Sequence, residues 1–511
     1  MDPIGGLVYG FIAIFTPETL LAAALGALLG TAIGVLPGLG PVGGAALILP
    51  LTFGLSPVTG IVALGAIYYG AMYGGSTTSI LLNMPGESAS VVTAIDGFEM
   101  TKRGRAGAAL SIVAIGSFVA ATLSLVGMLF ATPALANVAL AFGPAEFFAL
   151  TVVGLLLLAS ITGGSVAASV VMVAVGLMLG TIGFDSVNGT QRFTFGNQLL
   201  VLGVDLVPAA VGLFGLAEIF LMVERHSTAP RPIVVKLRQM LPTRDEMRSA
   251  VPAWFRGTGI GFGLGLLPGP SPTLASFISY RLEKIFSRDK GTFGRGAVAG
   301  VAGPEAANNA AATTSFIPLL ALGLPFTPTL ALILAAMQIQ GVQPGPLLIR
   351  DNPDIFWGII ASMFLGNAIL LLLNLPLVGI WVSVLRVPKD VLIVGIVIAT
   401  VIGSYSVRNS MFDVYVLVGF GVLGYILRKI GVSPVPLILA LVLGPLIEKY
   451  LLEGLYLGSG DVLYFVSSPL AISIWAIGLA GLVAPVLYRR IVASRAKDGI
   501  ESSEPESTSR V

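Results

Sequence analysis

The chain of 511 residues contains no cysteine, one histidine and few charged residues. The lack of cysteine excludes disulfides, iron–sulfur clusters, thiolate metal sites and cysteine nucleophiles. Only 11% of the residues are charged, against about 25% in a typical soluble domain, so the chain lacks the polar surface that soluble cores require. The histidine, His226, lies in a hydrophilic stretch, where we expect an ordinary surface residue rather than a catalyst.

The missing residues and motifs also argue against enzymatic activity. The phosphate-binding motif G-x-x-x-x-G-K-[ST] of ATP-driven pumps is absent. An intramembrane hydrolase, the least favoured reading, would need a base beside a nucleophile or a set of metal ligands. Without cysteine, the catalytic groups that remain are a Ser/Lys pair or a pair of aspartates, and neither pair stands out in the apolar segments. The balance of 28 basic and 26 acidic residues gives no indication of a nucleic-acid partner.

Apolar sequence dominates what is present. Hydrophobic residues make up 55% of the chain, and the mean hydropathy is +0.94. Stretches of about 20 apolar residues, the length that crosses a bilayer, recur from end to end. We therefore predict an all-α polytopic membrane protein with about twelve transmembrane segments. The 64 glycines and 32 prolines, many inside these stretches, predict that some helices are broken or re-entrant.

Two basic hydrophilic stretches divide the chain and predict its topology. By the positive-inside rule, residues 224–256 form a cytoplasmic linker and residues 489–511 a cytoplasmic, disordered tail. No lysine or arginine precedes Lys102, so we expect a periplasmic N-terminus. The predicted units between these stretches are a first membrane repeat over 1–223 and a second repeat with further C-terminal helices over 257–488.

A short motif occurs once in each predicted unit. G-V-L-P-G-L-G-P at 34–41 is echoed by G-L-L-P-G-P-S-P at 265–272, and T-T-S-I at 77–80 is echoed by T-T-S-F at 313–316. A first half that runs from periplasm to cytoplasm crosses an odd number of times, so the second copy is predicted to be inverted. The basic residues between 281 and 295, which have no counterpart after the first motif, favour the same inversion.

Inverted repeats with broken helices are typical of secondary transporters, whose substrate site lies where the breaks meet. A break leaves backbone groups unpaired, and each costs several kcal/mol in hydrocarbon unless protein, water or a ligand satisfies it. Half-helix N-termini attract carboxylate or phosphate, whereas carbonyl and hydroxyl oxygens suit a cation such as Na⁺. One Pro-Gly break alone is an ordinary kink, but two in matching positions favour a site.

Four elements supply the candidate residues of this site. The predicted substrate- or ion-binding residues are Pro37, Gly38 and Gly40 in the first break, Pro268, Gly269 and Ser271 in the second, Gly74, Gly75, Ser76, Thr77, Thr78 and Asn83 in a hydroxyl-rich run, and Glu305, Asn308, Asn309, Thr313 and Thr314 in a small-residue segment. Four further acidic residues in apolar sequence rank lower: Glu146, Asp185, Asp205 and Glu218.

The last two elements each have an alternative. The hydroxyl-rich run, between Gly-Gly and Pro-Gly, predicts unwound backbone that lines a cavity, although such hydroxyls also bond to their own helix. Glu305 and the two asparagines are costly in a membrane unless they face water, a partner or a ligand. Amides can donate to a carboxylate and accept a cation, and Glu305 would balance a coupling cation or carry a proton. The alternative is a helix N-cap region at the membrane edge.

Five segments resemble the large membrane subunit of the tripartite tricarboxylate transporters. They are the run 34–50, Y-Y-G-A-M-Y-G-G-S-T-T at 68–78, P-E-A-A-N-N at 304–309, I-P-L-L-A-L-G-L-P at 317–325 and Q-P-G-P at 343–346. The resemblance covers nearly the whole chain up to the polar tail.

The resemblance implies a multi-pass secondary transporter of the bacterial inner membrane. Such a subunit works with a small membrane subunit and a periplasmic solute-binding protein. It imports citrate or related organic carboxylates on a Na⁺ or H⁺ gradient, and no other cofactor or metal is expected. The chain departs from the family in two places: Phe326 stands where the family often has glycine, and the second break is rich in proline. These departures leave the identity of the substrate undetermined. The alternative is a stand-alone organic-anion symporter or exporter.

Overall fold

The structure is a computed structural model that describes residues 2–36, 38–161, 165–185, 189–224, 237–384 and 389–483. Pro37, His226, much of the predicted linker and the whole predicted tail over 489–511 lie outside these residues. Apart from two short strands, the described chain is built almost entirely of helices.

The helices of the first half run from Pro3 to Glu224. Their bounds are α1 (Pro3–Ile14), α2 (Pro17–Val35), α3 (Gly40–Ile48), α4 (Pro57–Leu82), α5 (Val91–Lys102), α6 (Ala106–Ala139), α7 (Pro144–Ile161), α8 (Val166–Gly180), α9 (Leu206–Ala210) and α10 (Ala217–Glu224). A 3₁₀ turn over Leu49–Gly54 extends α3, and a π-helical stretch over Val211–Leu216 joins α9 to α10. Strands β1 (Gly183–Phe184) and β2 (Gln191–Arg192) form a small antiparallel hairpin after α8.

The helices of the second half begin within the predicted linker. Their bounds are α11 (Arg244–Gly265), α12 (Ser271–Phe286), α13 (Val298–Thr314), α14 (Phe316–Leu322), α15 (Pro328–Ile339), α16 (Leu348–Asp351), α17 (Pro353–Asn374), α18 (Val378–Val384), α19 (Lys389–Arg408), α20 (Met411–Lys429), α21 (Val435–Leu457) and α22 (Pro469–Val483). Residues 244–256, predicted as aqueous linker, are therefore helical. The side chain of Thr243 caps α11 by accepting the backbone N–H of Glu246.

Seven described helical segments are long and apolar enough to cross a membrane. They are α2, α4, α6, the continuous α9–α10 segment, α17, α20 and α21. Shorter apolar helical segments of 10–17 residues also occur, such as α8 and α15. The all-α, multi-pass architecture is thus confirmed, whereas the count of about twelve segments stays a prediction.

Glycines at every fourth position of α2 let its backbone approach α4. A Cβ atom on Gly30 would lie 2.4 Å from the carbonyl oxygen of Ile67, and one on Gly34 would lie 2.2 Å from that of Ala71. Small residues permit this close approach in membrane helices. Residue numbers increase in the same direction along both helices at these contacts, so α2 and α4 run parallel. The chain must therefore reverse direction at the first Pro-Gly break and return through α3.

The second half repeats this arrangement in α11 and α13. A Cβ atom on Gly261 would lie 2.2 Å from the carbonyl oxygen of Ala307, and one on Gly265 would lie 2.6 Å from that of Ala311. These helices are again parallel, and the chain returns through α12 after the second Pro-Gly break. Each half therefore has a G-x-x-x-G helix, a Pro-Gly reversal and a third helix parallel to the first. This supports the predicted repeat, and its inversion stays a prediction.

A buried carboxylate on α5 joins the two halves. Asp96 is fully buried, and its Oδ1 accepts backbone N–H bonds from Gly294, Gly296 and Ala297 at 2.7 to 2.9 Å. The hydroxyl of Tyr280 donates to its other oxygen at 3.0 Å. These bonds fix the α12–α13 connection against the first half, and so help to fix the relative position of the two breaks.

Candidate anion-binding site

Both Pro-Gly breaks line one cavity of about 460 Å³, called here the central cavity. Gly38 and Gly40 contribute to its wall from the first break, and Gly269 and Pro270 contribute from the second. All three of these glycines have positive φ angles, which is why the chain can turn sharply at both places. The structure thus brings together the two breaks that the sequence analysis paired.

Four helices begin at the wall of the central cavity. They are α3 at Gly40, α12 at Ser271, α15 at Pro328 and α21 at Val435, and residues of the first turn of each helix line the cavity. The first N–H groups of a helix have no partner within it, and they carry a partial positive charge. Their convergence creates an environment that favours an anion.

One arginine adds a full positive charge to this wall. Of the described residues that line the central cavity, Arg428 on α20 is the one lysine or arginine. It forms an ion pair with Glu218 on α10, whose side chain is buried. Gly38 lies against this pair, because a Cβ atom there would be only 2.2 Å from Oε1 of Glu218. Its φ of +97° and this contact both require glycine.

Glu305 is the centre of a polar cluster behind the cavity. It is fully buried, and it lies well inside α13, so the alternative of an N-cap region is wrong. Its carboxylate accepts hydrogen bonds from Ser76 at 2.6 Å, Thr93 at 2.8 Å and the amide of Asn309 at 3.2 Å. These three donors satisfy a carboxylate that would otherwise be too costly to bury. The Asn309 amide also donates to Ser117 on α6 at 2.8 Å.

Glu87 connects this cluster to the central cavity. It belongs to the segment between α4 and α5 and lines the cavity wall. Its Oε1 accepts a 3.0 Å hydrogen bond from the amide of Asn308, which is fully buried on α13. Oδ1 of Asn308 has no hydrogen-bond partner. The Glu87 side chain also lies over Gly75, where a Cβ atom would be 3.0 Å from its Cγ.

The prediction of unwound backbone over the hydroxyl-rich run is wrong. Ser76, Thr77 and Thr78 are buried within α4, which is continuous from Pro57 to Leu82. The hydroxyl of Thr78 donates to the backbone carbonyl of Gly75 at 3.2 Å, as the alternative of bonding to the same helix proposed. The chain leaves the helix at Asn83, which has a φ of +55°. The break therefore follows the hydroxyl run instead of containing it.

The first of the two glycines before this run, Gly74, serves helix packing. A Cβ atom on Gly74 would lie 2.3 Å from the carbonyl oxygen of Thr31 on α2. Paired glycines in an apolar segment are compatible with a break or with a close helix contact, and here the close contact is realised.

The remaining predicted residues lie beside the cavity or away from it. Ser271 begins α12, and its buried hydroxyl has no hydrogen-bond partner. Pro268 belongs to the same turn, directly before Gly269. Thr313 and Thr314 do not line the central cavity; their hydroxyls donate to carbonyl oxygens of their own helix at 2.9 and 3.0 Å.

Three charged residues in or next to the wall of the central cavity were missed or ranked low by the sequence analysis. Arg428 directly precedes Lys429 in the last turn of an apolar helix. Paired basic residues at such a position are typical of the cytoplasmic end of a membrane helix, so Arg428 was not considered for binding. Glu218 was noted but ranked low, although an acid in an apolar segment has a strong reason to be paired. Glu87, which directly follows the Pro-Gly pair after the hydroxyl-rich run, was not among the candidates.

The fold and the site define a polytopic helical membrane protein with an internal cavity where two broken helical units meet, as in secondary transporters. The model of the tripartite tricarboxylate transporter TctA family matches residues 20–439, and the chain belongs to this family. The family comprises transporters, not enzymes, and a tripartite transporter implies further subunits.

Two proteins of Agrobacterium vitis are similar to this chain. One, described as an uncharacterized 52.8 kDa protein in the TAR-I ttuC' 3' region, is 49% identical over 488 residues, which cover 95% of this chain and 97% of the relative. The other, an uncharacterized protein in the TAR-II ttuC' 3' region, is 50% identical over 224 residues, which cover 44% of this chain and 93% of the relative. No solved structure matches the chain.

Proposed function

We propose that this chain is the large membrane subunit of a binding-protein-dependent secondary transporter in a bacterial inner membrane. It imports tricarboxylates or related organic carboxylates, driven by a Na⁺ or H⁺ gradient. The central cavity is the substrate site, and the two Pro-Gly units expose it alternately to the two sides of the membrane.

The observation that carries the proposal is the convergence of four helix N-termini and Arg428 on one cavity. Each N-terminus favours one negative group, and a polycarboxylate presents several such groups at once. The volume of about 460 Å³ is within the usual range for small-molecule sites. Arg428 supplies the charge-assisted hydrogen bonds that fix a carboxylate, in competition with its present partner Glu218.

Family membership supports the partners of the proposal. A small membrane subunit and a periplasmic solute-binding protein would complete the tripartite assembly, and the binding protein would deliver the carboxylate. A stand-alone symporter or exporter is the competing arrangement. The two differ in one respect that can be measured, because only the tripartite arrangement needs the soluble protein for uptake.

The test is uptake of radiolabelled citrate, malate and tartrate by proteoliposomes that contain this chain and its small subunit. The binding protein is supplied or omitted, and a Na⁺ gradient, a pH gradient or neither is imposed. We expect gradient-driven uptake only when the binding protein is present. Uptake without it would favour the stand-alone arrangement, and no uptake of any carboxylate under all gradients would contradict the proposal.

A further inference from the structure

We infer that Glu87 is the proton-binding residue of the central cavity, protonated when the anion binds and ionised when the anion leaves. The inference rests on the proposed function and deepens it, because it selects the proton as coupling ion and assigns its site.

The position of Glu87 creates the need for a proton. Its carboxyl lines the wall that also carries Arg428 and the four helix N-termini. An ionised carboxylate there repels a bound carboxylate anion, and a like charge nearby favours the neutral form of the group. Anion binding and protonation of Glu87 therefore support each other, which is thermodynamic coupling between two ligands of one site.

The charged and titratable groups around Glu87 include a second carboxyl, whose negative charge favours the protonated form of Glu87. Glu305 on α13, whose Asn308 neighbour bonds to Glu87, contributes another negative charge. Tyr68 on α4 lines the same cavity, and Arg428 on α20 is paired with Glu218 on α10. Within the part of the chain that the structure describes, no lysine or arginine forms an ion pair with Glu87.

The contact with Asn308 suits both protonation states of Glu87. The amide nitrogen now donates to Oε1 of Glu87, as it would to an ionised carboxylate. The amide oxygen of Asn308 is buried and has no partner. After a rotation of the amide group, this oxygen can accept a hydrogen bond from a protonated Glu87. Such an unused buried acceptor costs free energy in the ionised state.

The same geometry disfavours Glu305 as the proton carrier. Glu305 is a poorer proton carrier, because three donors from Ser76, Thr93 and Asn309 already satisfy its ionised form. It also does not line the central cavity.

The experiment counts protons taken up when citrate binds to the purified full chain. Binding heats are measured in buffers of different ionisation enthalpy, between about pH 7.5 and about pH 8.5, where carboxylic acids free in water are ionised. We expect the wild-type chain to take up protons, approaching about one per citrate as the pH rises, and its affinity to fall with increasing pH. In Glu87→Gln we expect binding without proton uptake and an affinity that no longer depends on pH.

Two further variants keep the test decisive. Glu99→Gln removes a partly exposed carboxyl on α5 and should retain the wild-type proton uptake. Glu87→Asp retains a carboxyl at this position. It should therefore take up protons on citrate binding, unlike Glu87→Gln. Undiminished proton uptake in Glu87→Gln would overturn the inference. So would citrate binding that requires Na⁺ and takes up no proton in the wild-type chain. If the wild-type chain binds no carboxylate at all, the proposed function itself fails.

Discussion

Arg428 on α20 and Glu218 on α10 form an ion pair beside Gly38, at the place where the central cavity adjoins a second cavity of about 530 Å³. Both cavities are lined by Gly38 and Arg428, and the second also by the ends of α10 and α20. The pair therefore lies at the junction of the two cavities, on the same wall as the end of α10 at Glu224.

Removing the charge of Arg428 is expected to weaken substrate binding. Arg428→Gln deletes the cation of the central cavity, and we expect carboxylate binding to weaken at least about tenfold, or about 1.4 kcal/mol. The matched control is Arg350→Gln, which removes an exposed arginine paired with Asp351. Equilibrium binding of labelled citrate to both purified variants measures the effect, and equal affinities would contradict the assignment of Arg428.

The first Pro-Gly break is expected to tolerate no side chain at Gly38. Gly38→Ala places a Cβ atom against Glu218 and forces a left-handed conformation that costs about 1–2 kcal/mol by itself. We expect a lower thermal unfolding temperature in detergent and strongly reduced uptake. Gly54→Ala, whose Cβ atom meets nothing within 4 Å, is the control. Wild-type stability and uptake in Gly38→Ala would contradict the close contact between Gly38 and Glu218.

Close packing of α11 on α13 is expected to require glycine on the face of α11 that contacts α13. Gly261→Ala directs a Cβ atom at the carbonyl oxygen of Ala307, and overpacking of this kind costs about 1–3 kcal/mol. Gly263→Ala, two positions along the same helix, meets open space and should leave the unfolding temperature unchanged or slightly higher. Thermal unfolding of the two variants gives the comparison, and equal temperatures would argue against the parallel contact.

The junction between the halves is expected to depend on Asp96. Asp96→Asn weakens three hydrogen bonds from backbone N–H groups to a buried carboxylate, with an expected loss of about 3 kcal/mol in the free energy of unfolding. Tyr280→Phe removes one bond to the same carboxylate and should cost about 1 kcal/mol. Thermal unfolding should rank wild type, Tyr280→Phe and Asp96→Asn in that order. The reverse order of the variants would show that the aromatic contact matters more.

Much of the fold and part of the site could be predicted from the sequence. Apolar stretches indicated a helical membrane protein, and Pro-Gly in matching positions indicated breaks, because a proline next to a glycine favours the end of a helix. Gly74 was misinterpreted as part of a break, since glycine also permits close helix contacts. Arg428 and Glu87 were missed because their roles depend on which helices meet, and that is a property of tertiary packing.

The central claim is that a carboxylate binds in the cavity between the two Pro-Gly breaks. Because the chain has no cysteine, Ser433→Cys places a single thiol in the cavity wall, and Ser467→Cys places one on an exposed surface. The measurement is the rate of maleimide labelling of each variant, with and without a saturating transported carboxylate. The account predicts at least about fivefold slower labelling of Ser433→Cys and no change for Ser467→Cys, because a ligand that fills a pocket buries most of its wall. Unchanged labelling of Ser433→Cys would contradict it.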